Sequence, residues 1–255
     1  MIFKVLPIPF SDNYIWALVC DRSCVIVDPG QAQPAIDFLE KNQLNLDAIL
    51  VTHHHFDHIE GLMPLKLKYP KVTAYGPRGG HIEGLDKQVS EGDRFKLSGI
   101  KQEISVLETP GHTLDHLTYV CDGHIFCGDT LFSAGCGRLF EGSAAQMHAS
   151  FQKLLVFPDD SLLYGGHEYT VSNMAFVRHI EPDNPILKQE EARVKVLCQS
   201  DTPSLPTSIA LEKKINPFVR VSEPIIKTIA EKKAGRPLSS PEDVFAILRS
   251  WKDSF

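Results

Sequence analysis

Four times along this chain a short apolar run of strand character ends directly in a group of metal-capable side chains. Ala48–Val51 runs into Thr52-His53-His54-His55-Phe56-Asp57-His58, and Ile104–Leu107 is followed by Thr109-Pro110-Gly111-His112-Thr113. Ile125–Cys127 leads into Gly128-Asp129-Thr130, and Ser161–Tyr164 into Gly165-Gly166-His167-Glu168-Tyr169. Strands that each release a polar loop at their ends deliver those loops to one rim of a sheet system. In an extended segment His53 and His55 project to the same side. Asp57 and His58 follow where the chain turns towards Gly61 and a helix, so this segment offers two adjacent ligand groups. The histidine run follows a strand in mid-chain, which separates it from a terminal tag. With His112, Asp129 and His167 the candidate ligands number seven: His53, His55, Asp57, His58, His112, Asp129 and His167. One zinc ion takes four protein ligands in a structural site and three in a catalytic one. Seven therefore fits two ions that share a bridging carboxylate and a water. Imidazole suits zinc, iron, nickel or copper, and carboxylate oxygen also admits manganese. Gly111, Gly128 and Gly166 permit the sharp turns and close backbone approach such a site needs.

The rest of the pattern has two parts. Residues 2–9, 14–20 and 24–28 read as strands, Ala32 to Lys41 and Leu62 to Leu67 as helices, and Val72–Tyr75, Phe95–Leu97 and Leu117–Cys121 as further strands. Ala144 to Leu155 has helical spacing, with Met147 and Phe151 on its core face. From about Ser172 onward every apolar pattern is helical, broken at Pro182, Pro185, Pro203, Pro206, Pro217 and Pro224. We read residues 1–165 as a β-rich α/β (α+β) metal-binding domain and residues 166–255 as an all-helical domain.

Composition narrows the function classes. The 255 residues suffice for one or two domains, and 43% apolar with 23% charged residues marks a soluble globular protein. A net charge of −6 disfavours bulk nucleic-acid binding. That charge is uneven: residues 1–165 carry 13 Lys/Arg against 20 Asp/Glu, while residues 166–255 carry 13 against 12. The second part can thus present cations to an anionic ligand. No apolar run reaches membrane-spanning length, and Pro7 and Pro9 spoil a signal-peptide layout. The six cysteines (Cys20, Cys24, Cys121, Cys127, Cys136, Cys198) form no Cys-x-x-Cys pair; they read as buried reduced thiols in a cytoplasmic protein, outside the metal site.

The His-x-His-x-Asp-His segment at 53–58 with the spaced His112, Asp129 and His167 resembles the metallo-β-lactamase superfamily. Within it, the chain is similar to the glyoxalase II (hydroxyacylglutathione hydrolase) family nearly end to end. The shared landmarks are Asp12-Asn13-Tyr14, Asp28-Pro29-Gly30, Thr52–His58, Pro110–Thr113, Gly128–Leu131, Gly135–Gly142, His167–Thr170 and Arg249-x-x-Lys252-Asp253. The resemblance implies an αββα sandwich with the site at one edge and a helical substrate domain. It implies that His53, His55 and His112 hold one metal, that Asp57, His58 and His167 hold the other, and that Asp129 bridges them. It implies glutathione contacts from Arg138, Phe140, Tyr169, Arg249 and Lys252. Two positions depart from the family pattern. Asp115 stands where glycine is usual, and we expect it to point to solvent rather than tune a ligand histidine. Phe140 replaces a tyrosine found in some members, which keeps the ring and loses a hydroxyl contact.

The implied reaction is hydrolysis of S-(2-hydroxyacyl)glutathione, typically S-D-lactoylglutathione to D-lactate and glutathione, the second step of methylglyoxal detoxification. Two divalent ions, zinc above all with iron or manganese as alternatives, would generate a bridging hydroxide flanked by Asp57 and Asp129. That hydroxide would attack the thioester carbonyl, and the thiolate leaves with little acid assistance. Arg249 and Lys252, three apart on a helix, share a face suited to a glycine carboxylate. Removing them should raise KM with metal content retained. A small-molecule thioester substrate, a monomer, and no membrane or nucleic-acid partner complete the expectation. Asp28 suits both a turn and a hydrogen bond to a ligand histidine. His54, His81, His116, His124, His148 and His179 carry no motif and read as surface or satisfied structural residues. A persulfide dioxygenase-like enzyme with one iron would need fewer ligands and lacks the helical extension. A flavodiiron carrier has glutamate where His55 stands, and a β-lactamase or lactonase leaves the terminal basic pair unexplained. A non-catalytic metal-binding module would close the coordination shell and turn over no thioester.

Overall fold

Pro7 and Pro9 cannot donate to a strand ladder, and the chain accommodates them on an edge. In the computed structural model, which describes residues 3–79, 82–97 and 99–255, β1 (Lys4–Phe10) pairs antiparallel with β2 (Asn13–Cys20), Pro7 opposite Trp16 and Pro9 opposite Tyr14. The expected start of this strand at residue 2 lies outside the described residues, as does His81. β2 continues antiparallel into β3 (Ser23–Val27). The pairing then turns parallel through β4 (Asn45–Leu50), β5 (Thr73–Pro77) and β6 (Lys87–Val89). Parallel partners need a crossover, which α1 (Ala32–Lys41) supplies between β3 and β4. Its Ala35, Ile36 and Leu39 fall on one face and are buried. They join Ile26, Ile49, Ala74 and Leu62 and Leu65 of α3 (Leu62–Lys68) in one apolar cluster. The one-turn α2 (Phe56–Ile59) precedes α3.

By packing, the chain divides into two compact units: Met1–Glu108 with Asp115–Gly128, and Thr109–Leu114 with Asp129–Phe255. The first contains the mixed sheet and an antiparallel ladder of β7 (Arg94–Leu97), β8 (Ile100–Glu108), β9 (Leu117–Cys121) and β10 (His124–Gly128). The buried Tyr119 Oη donates to Val51 O at 2.8 Å, and Leu117 N donates to Thr52 O at 2.8 Å. Strand β9 is thereby fastened to the backbone that leaves β4, one residue before His53. Five of the cysteines are buried; Cys198 is exposed, because it lies near the end of a helix on its outer side.

The second unit begins with a two-stranded hairpin, β11 (Leu131–Phe132) and β12 (Gly135–Cys136). α4 (Ala144–Leu154) starts on a capping box in which the Ser143 side chain and Gln146 satisfy each other's backbone donors. It buries Met147 and Phe151 as expected. β13 (Leu162–Gly165) is followed by α5 (Thr170–Ile180) and α6 (Pro185–Gln199), and β14 (Thr207–Ser208) by α7 (Ile209–Ile215), α8 (Pro224–Ala234) and α9 (Pro241–Asp253). Pro185 and Pro224, read as breaks, occupy first helical turns, where the missing N–H costs nothing. Met174 and Val177 of α5 pack with Leu187 and Val194 of α6 and with Ile215. Among the described residues no helix is long and apolar enough to cross a membrane.

The hairpin turn hangs on a buried carboxylate. Glu212 accepts from Thr207 Oγ1 at 2.6 Å, Ser133 Oγ at 3.2 Å, Ala134 N at 2.9 Å and Asn216 Nδ2 at 2.9 Å. Asn216 and Asn173 donate in turn to Gly135 O and Ser133 O, both at 2.9 Å. Burial pushes the Glu212 carboxyl up to about 7 against the pull of these donors. A folded-state pKa raised above the unfolded value contributes stability that is full below the unfolded pKa and is lost as pH rises through the folded one. From the ordinary 4.5 up to about 7 the contribution lost is about 3 kcal/mol. Glu212→Gln should flatten this part of the stability profile. It should also cost about 1–3 kcal/mol at pH 5, since an amide NH2 faces donors. Urea unfolding at pH 5 and 8 reads both effects, and an unchanged slope in the variant would assign it to another group.

Candidate metal centre

The ligand segment leaves β4 under tight control from Asp28. That residue ends β3 in the left-handed region at φ 52°, a conformation aspartate tolerates better than most side chains. Its buried carboxylate takes three donors: Thr52 N at 2.7 Å, Thr52 Oγ1 at 2.7 Å and His58 Nδ1 at 3.0 Å. The Thr52 hydroxyl proton is committed to this acceptor-only carboxylate. Thr52 Oγ1, 3.0 Å from His53 Nδ1, must then accept from that nitrogen. The network assigns the proton to Nδ1 in both His53 and His58 and leaves Nε2 as the basic nitrogen of each ring. Asp28 thus closes the turn and also bonds the ring of His58, a candidate ligand.

The other candidate ligands of this unit gather around the same point. The His53 ring centroid lies 4.7 Å from that of His55 and 4.2 Å from that of His58. Asn13, buried at the start of β2, donates from Nδ2 to Asp57 Oδ2 at 3.0 Å and to Asp57 O at 3.3 Å. Asp57 Oδ2 lies 3.7 Å from His58 Nε2. Gly30 makes the approach possible, because a Cβ there would stand 1.9 Å from Asp57 O. Asn13, Thr52 and His116, whose ring stacks on His53 at 4.9 Å, have roles that sequence reasoning missed. Asn13 carried a signal, a polar residue opening an apolar strand; for the pairing itself nothing in the sequence stood out. The expectation that Asp115 points to solvent is corrected: it is half-buried and bonds His54 Nδ1 at 3.0 Å. That pairing also makes His54 a satisfied structural histidine. His148, 3.2 Å from both Gln152 Nε2 and Glu242 Oε1, is another.

In the second unit Asp129 stands between two imidazoles. Its Oδ2 is 3.3 Å from His112 Nε2 and 3.2 Å from His167 Nε2. His112 Nδ1 donates to Arg138 O at 2.8 Å, which again leaves Nε2 basic. A basic nitrogen and a carboxylate oxygen facing each other repel unless a cation lies between them. Ligands held about 2.0–2.2 Å from one tetrahedral ion stand about 3.3 Å apart. The donor set therefore fits divalent ions, and the described residues hold histidine–carboxylate clusters able to take them.

Of the expected substrate residues, Phe140 and Tyr169 lie against this triad. The loop from Gly135 to Gly142 wraps His112: Phe140 N and Glu141 N donate to His112 O at 3.2 and 3.3 Å. The Phe140 ring, 63% exposed, meets His112 edge-on at 5.3 Å. Tyr169 stacks on His167 with centroids 4.6 Å apart. Arg138 is exposed, and its Nε lies 3.9 Å from Asp253 Oδ1. Lys252 is half-buried; burial, then the neighbouring Arg249 guanidinium, lowers its pKa from the ordinary lysine value. Arg249 is buried outright and bonds Cys136 O and Asp253.

The fold and donor set define a metallo-β-lactamase-type metal site. Residues 10–167 match the metallo-beta-lactamase superfamily model, and residues 168–255 match the model for the hydroxyacylglutathione hydrolase C-terminus. A hydroxyacylglutathione hydrolase of Aeromonas hydrophila is 46% identical over 99% of this chain and 100% of its own length. One from Photobacterium profundum is 47% identical over 96% of each chain. Among solved structures, ETHE1 from Myxococcus xanthus is 26% identical with a TM-score of 0.66, covering 100% of this chain and 99% of its own. The chain belongs to the hydroxyacylglutathione hydrolase (glyoxalase II) family of the metallo-beta-lactamase superfamily, and it is an enzyme of that family. The expected metallo-β-lactamase fold with a helical C-terminal region is the one found.

Proposed function

We propose that the enzyme hydrolyses S-(2-hydroxyacyl)glutathione, with S-D-lactoylglutathione giving D-lactate and glutathione, as the second step of methylglyoxal detoxification. The single observation that carries the metal chemistry is Asp129 Oδ2, set within 3.3 Å of Nε2 of both His112 and His167. In this reading the seven candidate ligands serve one binuclear centre: His53, His55 and His112 for one ion, Asp57, His58 and His167 for the other, and Asp129 for both. Zinc is the first choice, and the same nitrogen and oxygen donors accept iron or manganese. Divalent ions held by these residues would supply Lewis acidity and a water acidic enough to attack at neutral pH.

The chain's own residues do the rest. Asp28, Thr52 and the Arg138 carbonyl hold the ligand imidazoles in one tautomer, and Asn13 aims the Asp57 carboxylate. Asp57 and Asp129 are the catalytic carboxylates that set the charge around the attacking oxygen. The expelled glutathione thiolate is a good leaving group, so no acid residue is required. Arg138, Phe140, Tyr169, Arg249 and Lys252 form the glutathione site, with residues 1–165 as the catalytic part and 166–255 as the substrate-binding part. A cytoplasmic location fits five buried free cysteines, and we take the protein as a monomer.

Loss of thioester absorbance with S-D-lactoylglutathione, abolished by chelation and restored by divalent metal, is the expected result. A metal-replete protein inert towards this thioester would remove the assignment. Lys252→Ala should raise KM about tenfold, the worth of one charge contact of about 1.4 kcal/mol, with metal content unchanged. The lowered lysine pKa sets the sign of the pH effect: deprotonation removes the cation, so KM should climb at a pH below the ordinary lysine range. An alanine variant with wild-type KM across that range would exclude Lys252 from the site.

A further inference from the structure

Arg249 lies on α9, in the part of the chain assigned to substrate binding, yet only 3% of it is exposed. Its Nη1 donates to Cys136 O at 2.8 Å and lies 3.5 Å from Cys136 Sγ. Its Nη2 donates to Asp253 Oδ1 at 2.9 Å, and the guanidinium sits over the Phe218 ring at 5.5 Å. A planar fork engaged on these sides is a brace between α9 and the end of β12.

Immediately after Cys136 the chain becomes the wall of the metal centre. Gly137 N donates to Thr130 O at 3.3 Å. A Cβ on Gly137 would stand 1.9 Å from Asp129 O and 3.1 Å from His112 Nδ1, so the loop has no slack against either ligand. The next carbonyl, Arg138 O, accepts the His112 Nδ1 proton at 2.8 Å. Only Gly137 separates the braced carbonyl of Cys136 from the Arg138 carbonyl that bonds His112. A shift of the loop therefore moves the acceptor that fixes the His112 tautomer and its Nε2 direction.

We infer that Arg249 is a positioning residue for the metal centre, acting through the Cys136 carbonyl on the loop that orients His112 and backs Asp129, in addition to any contact with glutathione. This rests on the metal-dependent hydrolase reading above. The brace needs a group that stays charged when buried and donates on two sides, which arginine supplies and lysine does not.

The test compares Arg249→Met, Arg249→Lys, Lys252→Met and Asp253→Asn in the full-length metal-loaded enzyme. Zinc retained during dialysis against graded chelator gives affinity without reference to turnover, and kcat and KM are measured separately. Arg249→Met is expected to weaken zinc binding about 10- to 100-fold and to lower kcat, since partners that orient ligands are worth that much. Arg249→Lys should recover only part of the loss. Asp253→Asn, which weakens one side of the fork by removing its charge at a half-exposed position, should show a smaller loss of the same kind and covers the case in which Arg249→Met does not fold. Lys252→Met should raise KM with zinc affinity intact. Wild-type zinc affinity and kcat in Arg249→Met, or in Asp253→Asn when the former is unfolded, would overturn the positioning role. Failure of the functional reading looks different: the wild-type protein itself would bind no zinc or leave the thioester intact.

Discussion

Asp129→Ala is expected to abolish thioester hydrolysis and to leave the purified protein deficient in divalent metal. The carboxylate is buried and lies within 3.3 Å of the Nε2 atoms of both His112 and His167. Removing it deletes an anionic donor and leaves two imidazoles facing a cavity. Partners that merely orient a ligand are worth about 10- to 100-fold in affinity or activity. A shared ligand should exceed that, so kcat should fall by more than about two orders of magnitude. Metal analysis of the dialysed variant beside the wild type, together with the lactoylglutathione assay, reads both losses. Full metal occupancy with near-normal kcat would mean that Asp129 is a structural acid and that the binuclear centre is wrong.

The second large effect is expected at a residue that touches no metal. Asp28→Asn keeps the size of the side chain but replaces one acceptor oxygen with a donor. Thr52 N, Thr52 Oγ1 and His58 Nδ1 all need acceptors there, and each lies within 3.0 Å. The amide satisfies one side and confronts the other with N–H against N–H or O–H. Leaving buried donors unsatisfied costs about 1–3 kcal/mol each, so an overall loss of about 2–4 kcal/mol is expected in denaturant unfolding. The same change releases the Nδ1 protons of His58 and, through Thr52, of His53. Metal affinity should fall about 10- to 100-fold. Stability lost with metal affinity preserved would confine Asp28 to the turn and contradict the tautomer assignment.

These two residues mark how far the sequence can be read. Asp129 is legible as a candidate ligand because its type, its glycine neighbour and its place after an apolar run all point that way. Asp28 is legible only as an alternative, since a turn aspartate and a ligand-orienting aspartate look the same in one dimension. Most strands and helices agree to within a residue or two, because alternation and helical spacing are local. The short β6, β11, β12 and β14 escape a reading of the sequence. Two or three residues carry no period, and such strands exist only because a partner strand lies alongside. Asp115 is misjudged for a related reason: its partner His54 is 61 positions away.

Arg249 shows the same limit most clearly. Spacing puts it beside Lys252 on one helix face, and equal charge makes the two look equivalent. Packing separates them: one is buried against the Cys136 carbonyl, the other half-buried with a lowered pKa. What the amino-acid order determined by itself was the set of donors and the strands that release them, since those depend on residue type and short-range period. Tertiary structure alone decided which nitrogen of His53, His58 and His112 carries the proton, that Asp28 bonds an imidazole, and that Arg249 is buried on a backbone carbonyl while Lys252 is not. Each of those outcomes rests on a hydrogen bond between residues far apart in the chain, as the His53 proton rests on Asp28 and Thr52, and a distance of three ångströms across a fold leaves no trace in local sequence.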